Sequence, residues 1–174
     1  MTKTELAEQI HAVSYLTGEF VLRSGNISNF YWDKYRFESD PRLLTAIAAE
    51  MAKLLPVSEC DGLAGLELGG VPLATALSLQ TGVPCFYVRK EAKTYGTCNL
   101  IEGGVKEGSK LVVIEDVITT AGQVCTSIEQ IRAAGYTVEH VIAAIDRQAG
   151  GAAKINEIGC SFAAVFTLAE LEGF

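Results

Sequence analysis

The sequence predicts an α/β fold: a mainly parallel central sheet with helices on both faces, plus a small N-terminal, hood-like appendage. Three observations carry this. From residue 61 onward, short apolar runs alternate with segments of helical period, the pattern of βαβ crossovers. The runs at 62–66 and 111–114 are apolar throughout, as strands buried on both faces are. The loops expected at the strands' carboxyl ends, 67–70, 89–104, 115–123 and 146–148, are the ones of unusual composition, and open parallel sheets bind ligands on that rim. The 174 residues fit one domain, 1–174, read as a substrate-covering segment at 1–35 and an α/β core at 36–174.

The elements follow in order. Residues 4–16 place Leu6, Ile10 and Val13 at helical spacing, with Gly18 as the expected stop. Residues 19–25 and 27–33 read as two extended pieces around a turn. Asp40 and Pro41 form a helix start, N-cap followed by first-turn proline, for a helix running to about Leu55. Strand 62–66, helix 72–81 and strand 83–88 come next. The stretch 89–105 is polar, glycine-bearing and without period. Then follow strand 110–117, helix 121–134, strand 138–145, helix 152–158, strand 161–166 and a short tail at 168–171.

Composition removes several function classes. A net charge of −7 argues against a general nucleic-acid binder, which draws its affinity from neutralising phosphates. No apolar run reaches the length of a transmembrane helix, and the N-terminus lacks the basic-then-apolar pattern of a secretory signal, so the cytoplasm is the expected compartment. The five cysteines are odd in number and widely spaced, with no CxxC, which suggests neither a disulfide framework nor a zinc site.

The chain is organised around residues 111–123. An apolar strand ends in two adjacent carboxylates, Glu115 and Asp116, and a turn of Thr119, Thr120, Ala121, Gly122 and Gln123 leads into a helix. Neighbouring side chains of a strand point to opposite faces, so the pair is expected where the strand stops. Unpaired N–H groups at a helix start favour an anion, and the threonine hydroxyls add donors. The carboxylates repel a phosphate but accept from a sugar diol, so the two functions belong on opposite sides of one sugar.

This stretch resembles the phosphoribosyl-diphosphate (PRPP) motif of type I phosphoribosyltransferases, with Ala121 where many members have glycine. Three further segments extend the resemblance, specifically to orotate phosphoribosyltransferases, in the right order from Phe20 to about Gly151. Glu67, Leu68, Gly69 and Gly70 join a strand to a helix through two glycines, which lets a diphosphate approach backbone N–H groups. Arg89, Lys90, Lys93 and Tyr95 lie in a basic segment similar to the catalytic loop, with Tyr95 where many members have histidine. Arg23 and the aromatic run Phe30, Tyr31 and Trp32 resemble the N-terminal substrate segment, and Arg147 after an apolar strand resembles the arginine that grips the orotate carboxylate.

The resemblance implies transfer of a phosphoribosyl group from PRPP to orotate, giving orotidine 5′-monophosphate and pyrophosphate in pyrimidine biosynthesis. It assigns Lys93, Asp116 and Lys90 to catalysis. Residues 119–123 take the 5-phosphate, Glu115 and Asp116 the ribose, residues 67–70 with Arg89, Lys90, Lys93 and Tyr95 the diphosphate. Arg23, Phe30, Tyr31, Trp32, Thr119 and Arg147 take orotate. Mg²⁺ is expected to ride mainly on PRPP, with Asp116 the protein oxygen within its reach and no protein-only cage. The family's habit implies a homodimer whose basic loop crosses to the partner's site. Two alternatives stay open at this point: a transferase for another base, and a nucleotide- or PRPP-sensing regulator on the same fold.

Overall fold

The computed structural model describes residues 1–21, 25–91 and 99–174. Helix α1 (Lys3–Ser14) opens with a capping box in which Thr2 and Glu5 satisfy each other's backbone N–H. It leads directly into β1 (Tyr15–Val21), which pairs antiparallel with β2 (Ile27–Trp32) as a separate two-stranded sheet. The helix therefore ends before Gly18, which sits in β1 beside an irregularity of register between Thr17 and Phe20. The β-branched and aromatic content of 15–21 wins over the helical spacing there. Helices α2 (Tyr35–Ser39) and α3 (Pro41–Ala52) follow. Asp40 caps α3 as expected, its carboxylate accepting from the N–H groups of Arg42 and Leu43.

The main sheet has six strands: β3 (Gly62–Leu66), β4 (Cys85–Val88), β5 (Ile101–Glu102), β6 (Lys110–Ile118), β7 (Thr137–Asp146) and β8 (Ser161–Thr167), in spatial order β5-β4-β3-β6-β7-β8. All neighbours are parallel except β4 and β5. The two-residue strand β5 is absent from the sequence reading, because two residues show no period. Among the described residues the remaining α-helices are α4 (Gly70–Thr81), α5 (Gly122–Ala133), α6 (Gly151–Glu157) and α7 (Leu168–Leu171).

The central strands feed two cores, alternating as far as Ile114 in β6 and Ala144 in β7. Leu63, Val112, Ile114, Ile142 and Ala144 face one layer, packed with Leu6 and Ile10 of α1, Ile47 and Met51 of α3, and Leu73 and Leu77 of α4. Ala64, Leu66, Leu111, Val113, Val141 and Ala143 face the other, with Ile128 and Ile131 of α5 and Ile155 of α6. Helix α1 thus belongs to the core layer, and the β1–β2 hairpin forms its own sheet beside it. Among the described residues no helix is long and apolar enough to cross a membrane.

Candidate active site

Strand β6 places the acidic pair. It runs on to Ile118, so Glu115 and Asp116 lie within the strand rather than after it, and both line one cavity. Register explains the extension: Val117 and Ile118 pair with Ile145 and Asp146 of β7. Asp116 is fully buried. Its Oδ1 accepts from the Val117 N–H, and its Oδ2 pairs with the ammonium of Lys34. Gly69 makes room for it, since a Cβ there would stand 1.5 Å from Asp116 Oδ2. Gly70, next along, starts α4 hard against β6, with space for a Cβ blocked 2.2 Å away by the Ile114 carbonyl. The glycine pair read from the sequence therefore has two separate steric reasons.

Lys34 and Glu38 escaped the sequence reading. Lys34 lies two residues past the aromatic run and is fixed by its neighbour: the Asp33 N–H donates to the Ser14 carbonyl, and Asp33 Oδ1 accepts from the Tyr35 N–H. Burial opposes the lysine's charge, yet Asp116 and then Glu115 outweigh it and hold its pKa above the ordinary range. Glu38, buried in α2, lies behind the pair. Burial foremost, then the charge of Asp116, pushes its carboxyl up to about 8. Neither Glu38 oxygen meets an N–H or O–H donor from the protein. A proton on Glu38 lets one of its oxygens donate to Asp116. Burial likewise raises Glu115, with Asp116 adding to it. A basic residue after a substrate-type segment was the available signal for Lys34; a lone glutamate on a short helix gives none.

After β6 the chain turns through Thr119 and Thr120, both exposed, to Ala121, which takes a left-handed backbone conformation at φ 56°. Helix α5 has no side-chain cap. Its first intrahelical bond runs from the Cys125 N–H to the Ala121 carbonyl, so the N–H groups of residues 122–124 are free of helix partners. Glu67, expected to cradle a diphosphate, lines the cavity and receives the Lys90 N–H through Oε2 at 3.2 Å. It ties the glycine turn to the start of the basic segment. Arg89 pairs with Glu102 of β5 at 3.8 Å.

These residues enclose a cavity of about 410 Å³ that contains Glu67, Leu68, Gly69, Arg89, Lys90, Glu115, Asp116 and all of 119–123. A second cavity, of about 230 Å³, is lined by Tyr31, Trp32, Lys34, Val117, Thr119, Ile145, Arg147 and Leu168. The two share Lys34, Val117 and Thr119, and so abut. Arg147 is held by its backbone, which donates to the Ile118 carbonyl at 2.9 Å. The Trp32 indole N–H is buried and meets no acceptor. Phe30 is not in this lining; it stacks on Tyr15 with ring centroids 5.5 Å apart. Gly70 belongs to the α4 packing described above rather than to the cavity wall. Arg23, Lys93 and Tyr95 lie outside the described residues.

The three carboxyl groups of the larger cavity, Glu67, Glu115 and Asp116, are hard oxygen donors compatible with Mg²⁺, but both Asp116 oxygens are already engaged by Lys34 and the Val117 N–H. The three-residue group of metal-ligand type found among the described residues, Glu59, Glu139 and His140, lies away from both cavities.

Comparison with known proteins bears on this geometry. Residues 40–161 match the model of the phosphoribosyl transferase domain. An orotate phosphoribosyltransferase of Nocardioides sp. is 51% identical over 167 residues, covering 96% of this chain and 93% of that protein. The orotate phosphoribosyltransferase of Mycobacterium tuberculosis H37Rv, in a crystal structure with Fe(III) dicitrate, superposes with a TM-score of 0.88 at 33% identity, covering 97% of this chain and 98% of that one. Its crystal structure in complex with PRPP gives 0.84 at 31% identity, with 98% of each chain covered.

Proposed function

This chain belongs to the phosphoribosyl transferase family, and we propose from that premise that it is an orotate phosphoribosyltransferase of pyrimidine biosynthesis. The observation that carries the reading is the pair of abutting cavities: one with a free helix start, hydroxyls, carboxylates and cations, the other aromatic with an arginine.

PRPP occupies the larger cavity. The amides of 122–124 with Thr119 and Thr120 hold the 5-phosphate, where the α5 dipole favours an anion. Glu115 and Asp116 face the ribose, and Asp116 offsets the positive charge that develops on the sugar as the bond at C1 breaks. The diphosphate lies toward residues 67–70 and Arg89, with Lys90 and Lys93 stabilising it as it leaves. Mg²⁺ would be held mainly through the diphosphate of PRPP, beside the carboxyl groups of the larger cavity, and would supply charge neutralisation there. Orotate enters the smaller cavity, its carboxylate on Arg147 and its ring against Tyr31 and Trp32. The protein contributes positioning and charge management rather than a covalent intermediate. It acts as a homodimer in the cytoplasm, with Lys93 of the basic segment reaching the partner's site.

The test is a substrate panel with PRPP and Mg²⁺. Loss of orotate absorbance with stoichiometric pyrophosphate supports the assignment. Turnover with hypoxanthine or uracil alone gives the reaction to another base, and PRPP binding without turnover turns the protein into a sensor.

A further inference from the structure

The smaller cavity has a charge count that one carboxylate does not explain. Among the described residues its lining holds two cations, Lys34 and Arg147, and no acid, the ion-pair partner of Lys34, Asp116, belonging to the lining of the larger cavity. Arg147 alone meets the orotate carboxylate. Lys34 stands at the seam with the larger cavity, where the base must present the nitrogen that joins C1 of the sugar. We propose, resting on the reading above, that Lys34 is a specificity-determining residue that selects the N1-deprotonated form of the base. The second cation of the cavity then matches the second negative charge of the ligand.

The groups around Lys34 fit this task. Asp116 and Glu115 of β6 face it, Tyr35 and Glu38 come from its own turn and helix, and Tyr31 and Arg147 from the cavity wall. Asp116 keeps the ammonium charged and positioned. Its side chain remains 34% exposed, enough to reach a ligand. When orotate binds, the N1 proton leaves to water. In the transfer, the N1 lone pair forms the bond to C1, and the C1–oxygen bond breaks with its electron pair on pyrophosphate. The ammonium stabilises the N1 anion before bonding and lies close to Asp116 afterwards, so its charge is never left bare beside the cationic sugar.

The experiment compares wild type, Lys34→Met and Lys34→Arg with orotate and with 5-fluoroorotate, whose N1 is more acidic. For Lys34→Met, kcat/KM for orotate at neutral pH should fall roughly tenfold or more, one order of magnitude per unit of lost N1 acidification. That loss should shrink at higher pH and for 5-fluoroorotate, and Lys34→Arg should recover most of it. A loss equal for both bases and flat with pH makes Lys34 a structural prop of Asp116 and overturns the proposal. Should Lys34→Met not fold, wild type still decides: orotate binding measured by calorimetry in buffers of different ionisation enthalpy should release a proton at neutral pH, and binding without release overturns the proposal. Wild type inactive on orotate refutes the preceding functional reading instead.

Discussion

Single residues at this site work against their intrinsic preferences, and each such conflict is measurable. Ala121 holds a left-handed conformation at φ 56°, which for a residue with a Cβ costs about 1–2 kcal/mol. Its side chain is buried but small. Ala121→Gly should therefore leave stability unchanged or raise it by up to about 1 kcal/mol, read from the thermal midpoint, with PRPP affinity retained. Glu38 has the opposite kind of conflict. Its carboxyl is raised from 4.5 to about 8 by burial first and by Asp116 second. The unfolded chain ionises it above pH 4.5, while the folded protein resists until about 8. The stability it contributes is thus fully present below pH 4.5 and is lost as pH rises through about 8. Glu38→Gln should remove that decline. The difference in melting temperature between variant and wild type should grow in the variant's favour across this window, and a constant difference contradicts a neutral Glu38. Arg147→Ala should raise the orotate KM at least roughly tenfold with PRPP affinity near wild type, since a bidentate charge-assisted contact is lost.

At the scale of elements, the two glycines between β3 and α4 separate stability from function. Both sit at the helix start, yet their neighbours differ. A methyl at Gly70 meets the backbone carbonyl of Ile114, which cannot yield without moving β6. A methyl at Gly69 meets the Asp116 side chain, whose Cγ lies 2.3 Å from the added atom. Gly70→Ala should cost about 1–3 kcal/mol or more in stability through overpacking. Gly69→Ala should cost less in stability but displace Asp116 from Lys34, so that PRPP affinity measured by calorimetry falls more than the melting point predicts. The glycine pair was legible in the sequence as a close backbone approach; that each guards a different neighbour was not, because both neighbours come from β6, far along the chain. The same holds for the acidic pair. Its presence and its link to the 119–123 turn were legible, since strand, turn and helix are consecutive. That Asp116 would be buried and paired with Lys34 depends on a contact between residues 82 positions apart, which no local pattern encodes. Element boundaries failed where length gives no period, as at β5, or where a strand follows a helix without a break, as at β1.

The whole molecule sets the last question, whether one chain completes its own site. The described residues that line the two cavities come from a single chain, with Arg89 and Lys90 in the lining of the larger one. Lys93 lies beyond the described residues, and the homodimer proposed above has it act across the interface. In a symmetric dimer that arrangement has a definite arithmetic. Lys93→Ala and Asp116→Asn should each abolish most turnover as homodimers, the first through kcat, the second through the sugar's charge. Mixed and allowed to exchange, equal amounts give heterodimers as half of the population. If Lys93 serves the partner's site, each heterodimer holds one doubly damaged and one intact site, and the mixture should recover about a quarter of wild-type activity. If Lys93 serves its own chain, every site keeps one lesion and mixing restores nothing. Steady-state rates before and after exchange, with native mass spectrometry to confirm the heterodimer, distinguish the two outcomes without any change to the fold.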